Sequence, residues 1–136
     1  MVGILLVAHG ALAREMVESA KMIMGDEIPQ YEALILERGE AVEHYRDKFL
    51  AALHRLNTGD GVLVLADLFA GTPANTALQN LKNEHYGLVT GMNLAMVIEA
   101  LSGRDGATLS EVQEAALEAA QVSMVDINKR LNIEGE

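Results

Sequence analysis

The stretch ILLVAHGALA, residues 4–13, indicates the architecture of the whole chain. The run from Val2 to Ala8 is short and continuously apolar, which is typical of a strand buried on both faces of a parallel sheet. His9 and Gly10 end that run, and from Leu12 onward the apolar residues return at helical spacing. A buried strand that leads into an amphipathic helix predicts the start of an α/β domain.

The same alternation continues along the chain. It predicts an α/β fold in which helices cover both faces of a central, mostly parallel sheet, a three-layer sandwich. Residues 122–132 fit either a continued last helix or an edge strand, because β-branched residues are frequent there. The predicted strands are 2–8, 31–36, 62–67 and 86–91, and the predicted helices are 12–24, 40–56, about 73–83, 94–101 and 109–121.

Composition limits the function classes. The 136 residues carry a net charge of -10 and no cysteine, so we expect one domain over residues 1–136 without disulfides or thiolate metal sites. The negative charge disfavours nucleic acid as a partner. The apolar runs are too short to span a bilayer and no basic segment precedes the first one, so we expect a cytoplasmic protein. We expect no bound cofactor and no metal.

His9 stands at the carboxyl end of the first predicted strand, and Asp67 stands at the same end of the third. Ligands of open α/β sheets bind beyond the carboxyl ends of the strands. If the first and third strands are neighbours, these two side chains meet. Gly10 leaves room for another group to approach the imidazole.

The segment FAGTPAN, residues 69–75, predicts a helix start beside this pair. Thr72 suits an N-cap, Pro73 suits the first helical position, and Gly71 permits a tight turn. The free N–H groups of such a helix start bind phosphate. An imidazole, an orienting carboxylate and an anion cradle together suit phosphoryl transfer through a phosphohistidine.

Each of these patterns has a simpler interpretation when taken alone. A histidine after a strand is often structural, GTPAN can be only a capped helix start, and an aspartate can only cap a turn. Their convergence at one sheet edge favours a site. The other histidines, His44, His54 and His85, lie on polar positions of a helix or in a turn, so we expect them to be solvated.

Three stretches together resemble one known family: ILLVAHGALA, VLVLADLFAGTPAN and VTGMNLAMVIEAL. They are similar, in order and spacing over nearly the whole chain, to the mannose-family IIA component of the bacterial sugar phosphotransferase system (PTS). The resemblance implies that His9 accepts a phosphoryl group on Nε2 from the phosphocarrier HPr and passes it to a IIB component. It also implies that Asp67 holds Nδ1 of that histidine.

The resemblance further implies a sheet of four parallel strands plus an antiparallel fifth strand exchanged between the subunits of a homodimer. On that basis we expect part of residues 122–132 to be the exchanged strand. The membrane components IIC and IID would be indirect partners, and the IIB component would be a separate protein. The sugar itself is not specified, because a IIA component does not need to touch it.

The resemblance also assigns site residues. It implies a phosphate-binding group, and the apolar residues that flank the site predict a surface for docking partners. The phosphate-binding residues are Gly10, Gly71, Thr72 and Asn75, and the docking residues are Leu12, Leu68 and Phe69.

Three alternatives stay open at this stage. A phosphotransfer partner of dihydroxyacetone kinase would share the fold. A tetrapyrrole metal chelatase would also begin with a strand that ends in His-Gly. A regulator that has lost phosphoryl transfer is disfavoured, because both His9 and Asp67 are present.

Overall fold

The computed structural model describes residues 1–133, and the predicted strands and helices form within three residues of their expected bounds. The elements alternate as expected up to α4. The strands are β1 (Gly3–His9), β2 (Tyr31–Leu36), β3 (Val62–Ala66) and β4 (Gly87–Val89), and the helices are α1 (Leu12–Met24), α2 (Val42–Leu56), α3 (Gly71–Asn80), α4 (Leu94–Ser102), α5 (Leu109–Ser123) and α6 (Ile127–Arg130).

The four strands form one parallel sheet in the order β2-β1-β3-β4. β1 therefore lies between β2 and β3. The chain continues from β1 to β2 on one side of it, and from β2 it crosses back to β3 on the other side. This is the topological switch point, where the loops at the carboxyl ends of β1 and β3 separate and leave a crevice. The register places Val7 opposite Ala66 at this edge.

The sheet is covered by helices on both faces, which confirms the three-layer α/β architecture. Ile4, Leu6 and Ala8 of β1 pack against α1, α4 and α5, whereas Leu5 and Val7 pack against α2 and α3. This alternation explains why β1 is apolar at every position from Ile4 to Ala8, since each of its faces is buried. No helix within residues 1–133 has the length and apolar character needed to cross a membrane.

The expected antiparallel fifth strand is not formed by the described part of this chain. Residues up to Ser123 complete α5, and the tail then folds into the short helix α6. The side chain of Asp126 accepts a hydrogen bond of 3.1 Å from the Lys129 amide and begins that turn. A strand needs a neighbouring edge to pair its backbone groups. Here local helical bonds pair them instead, and residues 121–133 are exposed.

Candidate functional site

The fold brings His9 and Asp67 into direct contact. The Asp67 amide donates to the Val7 carbonyl at 3.2 Å, which extends the β1–β3 pairing beyond the end of β3. His9 is the last residue of β1, so both side chains leave the sheet at one edge. Nδ1 of His9 lies 2.8 Å from Oδ2 of Asp67. The first and third strands are neighbours, so the condition under which the two side chains meet is fulfilled.

The carboxylate of Asp67 is nearly buried, and amides as well as the imidazole hold it. Oδ2 accepts the backbone N–H of His9 at 3.0 Å, and Oδ1 accepts that of Leu68 at 2.9 Å. Burial by itself would raise the pKa of Asp67, but the hydrogen bonds from His9 and Leu68 outweigh it and lower the pKa. Asp67 is thus an anion at neutral pH and can only accept hydrogen bonds. In the neutral ring of His9 the proton consequently resides on Nδ1, and Nε2 keeps a free lone pair.

The opposite side of the ring faces Gly71. A Cβ atom built on Gly71 would lie 2.4 Å from Nε2 of His9 and 2.6 Å from Cε1. The φ angle of Gly71 is +89°, in the left-handed region that side chains disfavour. Only glycine therefore fits this position, and the backbone after β3 lies against the reactive nitrogen. The His9 side chain is nevertheless 46% exposed, so a reactant can reach it.

Gly71 also begins α3, with Ala70 at the N-cap. The prediction that Thr72 is the N-cap and Pro73 the first helical residue is wrong, because the helix begins before them. No side chain of the described residues caps this end. The first amides of a helix have no intrahelical acceptor, and Pro73 has no N–H. The amides of Gly71 and Thr72 are therefore among the donors that this helix start can offer to an anion.

The remaining predicted phosphate-binding residues are Gly10, Thr72 and Asn75. Gly10 directly follows His9 with φ +57°, and its carbonyl accepts the Leu36 amide at 3.3 Å, which ties the end of β2 to the site. Thr72 is half-buried beside Gly71. Asn75 lies further along α3, with an exposed side chain.

Three large apolar side chains near the site are exposed. Leu12 lies in the first turn of α1 and is 47% exposed, whereas Leu68 and Phe69 follow Asp67 and are 57% and 83% exposed. We refer to Leu12, Leu68 and Phe69 as the apolar rim. Exposed large apolar side chains that cluster next to a reactive group are typical of a contact surface for another protein.

The other histidines lie outside this arrangement. Nδ1 of His44 is 2.8 Å from Oε2 of Glu40, and Nε2 of His54 is 3.2 Å from Oε1 of Glu84. Their side chains are exposed, as predicted. His44 thus has the same ring-to-carboxylate distance as His9, but it lies on α2. What distinguishes His9 is the contact with Gly71 and the start of α3. Within residues 1–133, no three His, Cys, Asp or Glu side chains group as metal ligands.

Tyr45 lies near the site, and the sequence did not indicate this proximity. Tyr45 lies on α2, and the structure buries it completely in the cluster that contains Val7 and Ala66. Its hydroxyl has no hydrogen-bond partner among the described residues. Burial raises the pKa of Tyr45, and the negative charges of Asp67 and then Glu40 raise it further. No local sequence signal could have indicated this proximity.

Comparison with known proteins identifies the family. A family model described as PTS system fructose IIA component matches residues 3–117. The mannose-specific EIIAB component of the PTS from Escherichia coli K12 is 32% identical over 105 residues, which cover 76% of this chain and 32% of that protein. The chain thus spans about a third of the length of this relative.

Two further relatives match over most of their length. The fructose-specific EIIA component of the PTS from Bacillus subtilis 168 is 29% identical over 113 residues, which cover 82% of this chain and 77% of that protein. The crystal structure of the PTS IIA protein associated with the fucose utilization operon of Streptococcus pneumoniae superposes with a TM-score of 0.83 at 29% identity. That superposition covers 97% of this chain and all of the other. The chain therefore belongs to the mannose/fructose IIA family of the sugar phosphotransferase system.

Proposed function

We propose that this protein is a phosphoryl carrier that accepts a phosphoryl group from phospho-HPr on Nε2 of His9 and passes it to a IIB component. The observation that carries the proposal is the 2.8 Å contact between Nδ1 of His9 and Oδ2 of Asp67. It directs the lone pair of the neutral ring to Nε2, which lies against Gly71 at the start of α3.

Phosphoryl transfer from the donor histidine to His9 needs no co-reactant. Nε2 of His9 attacks the phosphorus of a protonated phosphohistidine on the donor, and a P–N bond forms while the donor's P–N bond breaks. The donor histidine leaves as a neutral imidazole, and the ring of His9 takes up the positive charge with the proton still on Nδ1. Asp67 stabilises this cation, and the amides of Gly71 and Thr72 bind the phosphoryl oxygens. The reverse process delivers the group to the IIB component.

The apolar rim supports docking of a protein donor rather than of a small phosphate ester. HPr and the IIB component would each cover Leu12, Leu68 and Phe69 in turn, which is why these side chains stay exposed in the free protein. Residues 1–136 would form one domain that works in the cytoplasm and reaches the membrane components IIC and IID only through the IIB component. The sugar does not contact this chain.

We also propose that the protein is a homodimer. The tail after α5 exposes several large apolar side chains, which a second copy would bury. Sedimentation velocity at micromolar concentration tests this, and a monomer there would refute the dimer. The apolar tail residues are Met124, Ile127, Leu131 and Ile133.

The function is tested by incubating the protein with phosphoenolpyruvate, enzyme I and HPr and measuring the intact mass. We expect an acid-labile gain of one phosphoryl group. His9→Ala should abolish the gain while the fold is retained. His44→Ala is the matched control, because it removes a histidine with the same carboxylate distance but without the Gly71 contact, and it should label like the wild type.

Labelling on a residue other than His9 would overturn the site assignment. If active HPr gives no gain at all, the protein is a non-catalytic regulator rather than a carrier. The family membership favours sugar-linked transfer over the tetrapyrrole metal chelatase. A phosphotransfer partner of dihydroxyacetone kinase would need no IIB component. Transfer of the label to a purified IIB component therefore distinguishes the sugar phosphotransferase hypothesis from the dihydroxyacetone kinase hypothesis.

A further inference from the structure

Tyr45 is completely buried, yet its hydroxyl has no hydrogen-bond partner among residues 1–133. A buried polar group without a partner destabilises the folded protein. Phenylalanine would fill the same space without that cost. Phe49, one turn further along α2, occupies the same buried cluster without a hydroxyl. The hydroxyl at position 45 therefore calls for a reason other than packing.

The surroundings of Tyr45 point to the active-site carboxylate. Tyr45 packs in one cluster with Val7 and Ala66, which pair with each other across β1 and β3. Ala66 immediately precedes Asp67, and Val7 lies two residues before His9. After burial, the negative charges of Asp67 and then of Glu40 raise the pKa of the Tyr45 hydroxyl, so both carboxylates act on it.

The carboxylate of Asp67 can accept a further hydrogen bond. Its Oδ2 accepts both the backbone and the ring N–H of His9, whereas Oδ1 accepts only the Leu68 amide among the described residues. A hydroxyl hydrogen is free to rotate toward the strongest nearby acceptor. In a region of low dielectric constant, a hydroxyl dipole turned toward a carboxylate stabilises its charge even without direct contact.

We propose that Tyr45 is a positioning residue, whose buried hydroxyl turns its hydrogen toward Asp67 and keeps that carboxylate ionised and in place beneath His9. The proposal deepens the phosphoryl-carrier function and rests on it for its effect on transfer. The effect of the Tyr45 hydroxyl is largest when the ring of His9 becomes positively charged, because the Asp67 carboxylate then neutralises that charge. Tyr45 touches neither the phosphoryl group nor the reacting nitrogen.

The test compares Tyr45→Phe with Tyr31→Phe. Tyr31 is a matched control, because its hydroxyl is also buried without a partner and its pKa is also raised by burial and by a carboxylate, Glu18. It lies at the amino end of β2, opposite Ile4, and thus at the far edge of the sheet. Two readouts are needed: the pKa of Asp67 from carbon-13 NMR of its carboxyl group, and the rate of phosphoryl transfer from phospho-HPr.

We expect Tyr45→Phe to raise the pKa of Asp67 and to slow transfer about threefold, less than the roughly tenfold loss that a direct hydrogen bond to a charged group would give, because the hydroxyl acts without contact. Tyr31→Phe should change neither. Unchanged values in Tyr45→Phe, or equal changes in both variants, would overturn the proposal. The NMR readout needs no phosphoryl donor, so it judges the role of Tyr45 even if wild-type His9 is not phosphorylated and the proposed function fails.

Discussion

A methyl group on Gly71 would lie 2.4 Å from Nε2 of His9, which is closer than two such atoms can approach. The backbone that begins α3 therefore lies directly beside the nitrogen that carries the lone pair. On the other side of the ring, Asp67 holds Nδ1 at 2.8 Å. The imidazole thus lies between a carboxylate and a helix start. Nδ1 donates its proton to Asp67, and Nε2 keeps the lone pair beside the helix start.

Gly71→Ala should block phosphorylation of His9, because the new methyl group must displace either the ring or the start of α3. We expect a loss of about 10² in transfer rate, the usual scale for displacing a reacting group by an ångström. Gly106→Ala is the control, since Gly106 also has a left-handed φ of +70° but open space around its Cβ position. It should cost about 1 kcal/mol of stability and leave transfer intact. Equal transfer rates for the two variants would contradict the role of Gly71.

Asp67→Ala should slow phosphoryl transfer by about 10² or more, because the ring of His9 loses the group that orients and neutralises it. It also leaves the backbone amides of His9 and Leu68 without their acceptor, so we expect a loss of stability of about 1–3 kcal/mol. Single-turnover transfer and urea unfolding measure the two effects. Unchanged transfer kinetics would make Asp67 a purely structural residue.

The stability contributed by Asp67 should depend on pH. Burial opposes its ionisation, but hydrogen bonds lower its folded-state pKa below the unfolded value of about 4. A depressed carboxyl pKa stabilises the fold above the unfolded pKa, and this stabilisation is lost as the pH falls through the folded pKa. We therefore expect the unfolding free energy of the wild type to approach that of Asp67→Asn below about pH 4. A constant difference between the two proteins from neutral to acidic pH would contradict the lowered pKa.

Phe69→Ser should weaken docking of phospho-HPr without harming the fold, because the ring is 83% exposed. Aromatic side chains at interface centres often contribute 2 kcal/mol or more, so we expect KM for phospho-HPr to rise about tenfold or more while kcat changes little. Met22→Ser is the control, since Met22 is 90% exposed on the last turns of α1 and not in the apolar rim. Equal KM values for both variants would exclude the apolar rim from docking.

Arg104→Met should destabilise the protein without any direct effect on the site. The buried guanidinium of Arg104 donates hydrogen bonds to the carbonyls of Val2, Gln30 and Pro29, at the edge of the sheet opposite His9. Without these donors, the carbonyls of Val2 and Pro29 lose the guanidinium and that of Gln30 keeps only the Ile4 amide, so we expect a loss of about 3 kcal/mol or more. Thermal and urea unfolding measure it. A midpoint equal to that of the wild type would mean that water replaces the guanidinium.

Much of this molecule follows from local sequence patterns. The switch between apolar runs and helical spacing predicted the strands and helices, because those patterns depend on neighbours within a few residues. A topological rule places the carboxyl ends of parallel strands at one edge, so the sequence indicated that His9 and Asp67 meet if their strands are neighbours, as they are. The sequence alone therefore determined the fold class and indicated the central pair of the candidate site.

Only the tertiary structure decided the details that depend on contacts between distant segments. The start of α3 at Gly71 rather than at Pro73 depends on how the backbone fits against His9. The proximity of Tyr45 to Asp67 depends on how α2 packs on the sheet. In the tail, β-branched residues suggested a strand, but the local turn at Asp126 produced α6. A strand is defined by the edge that it pairs with, and no local pattern in the sequence specifies that edge.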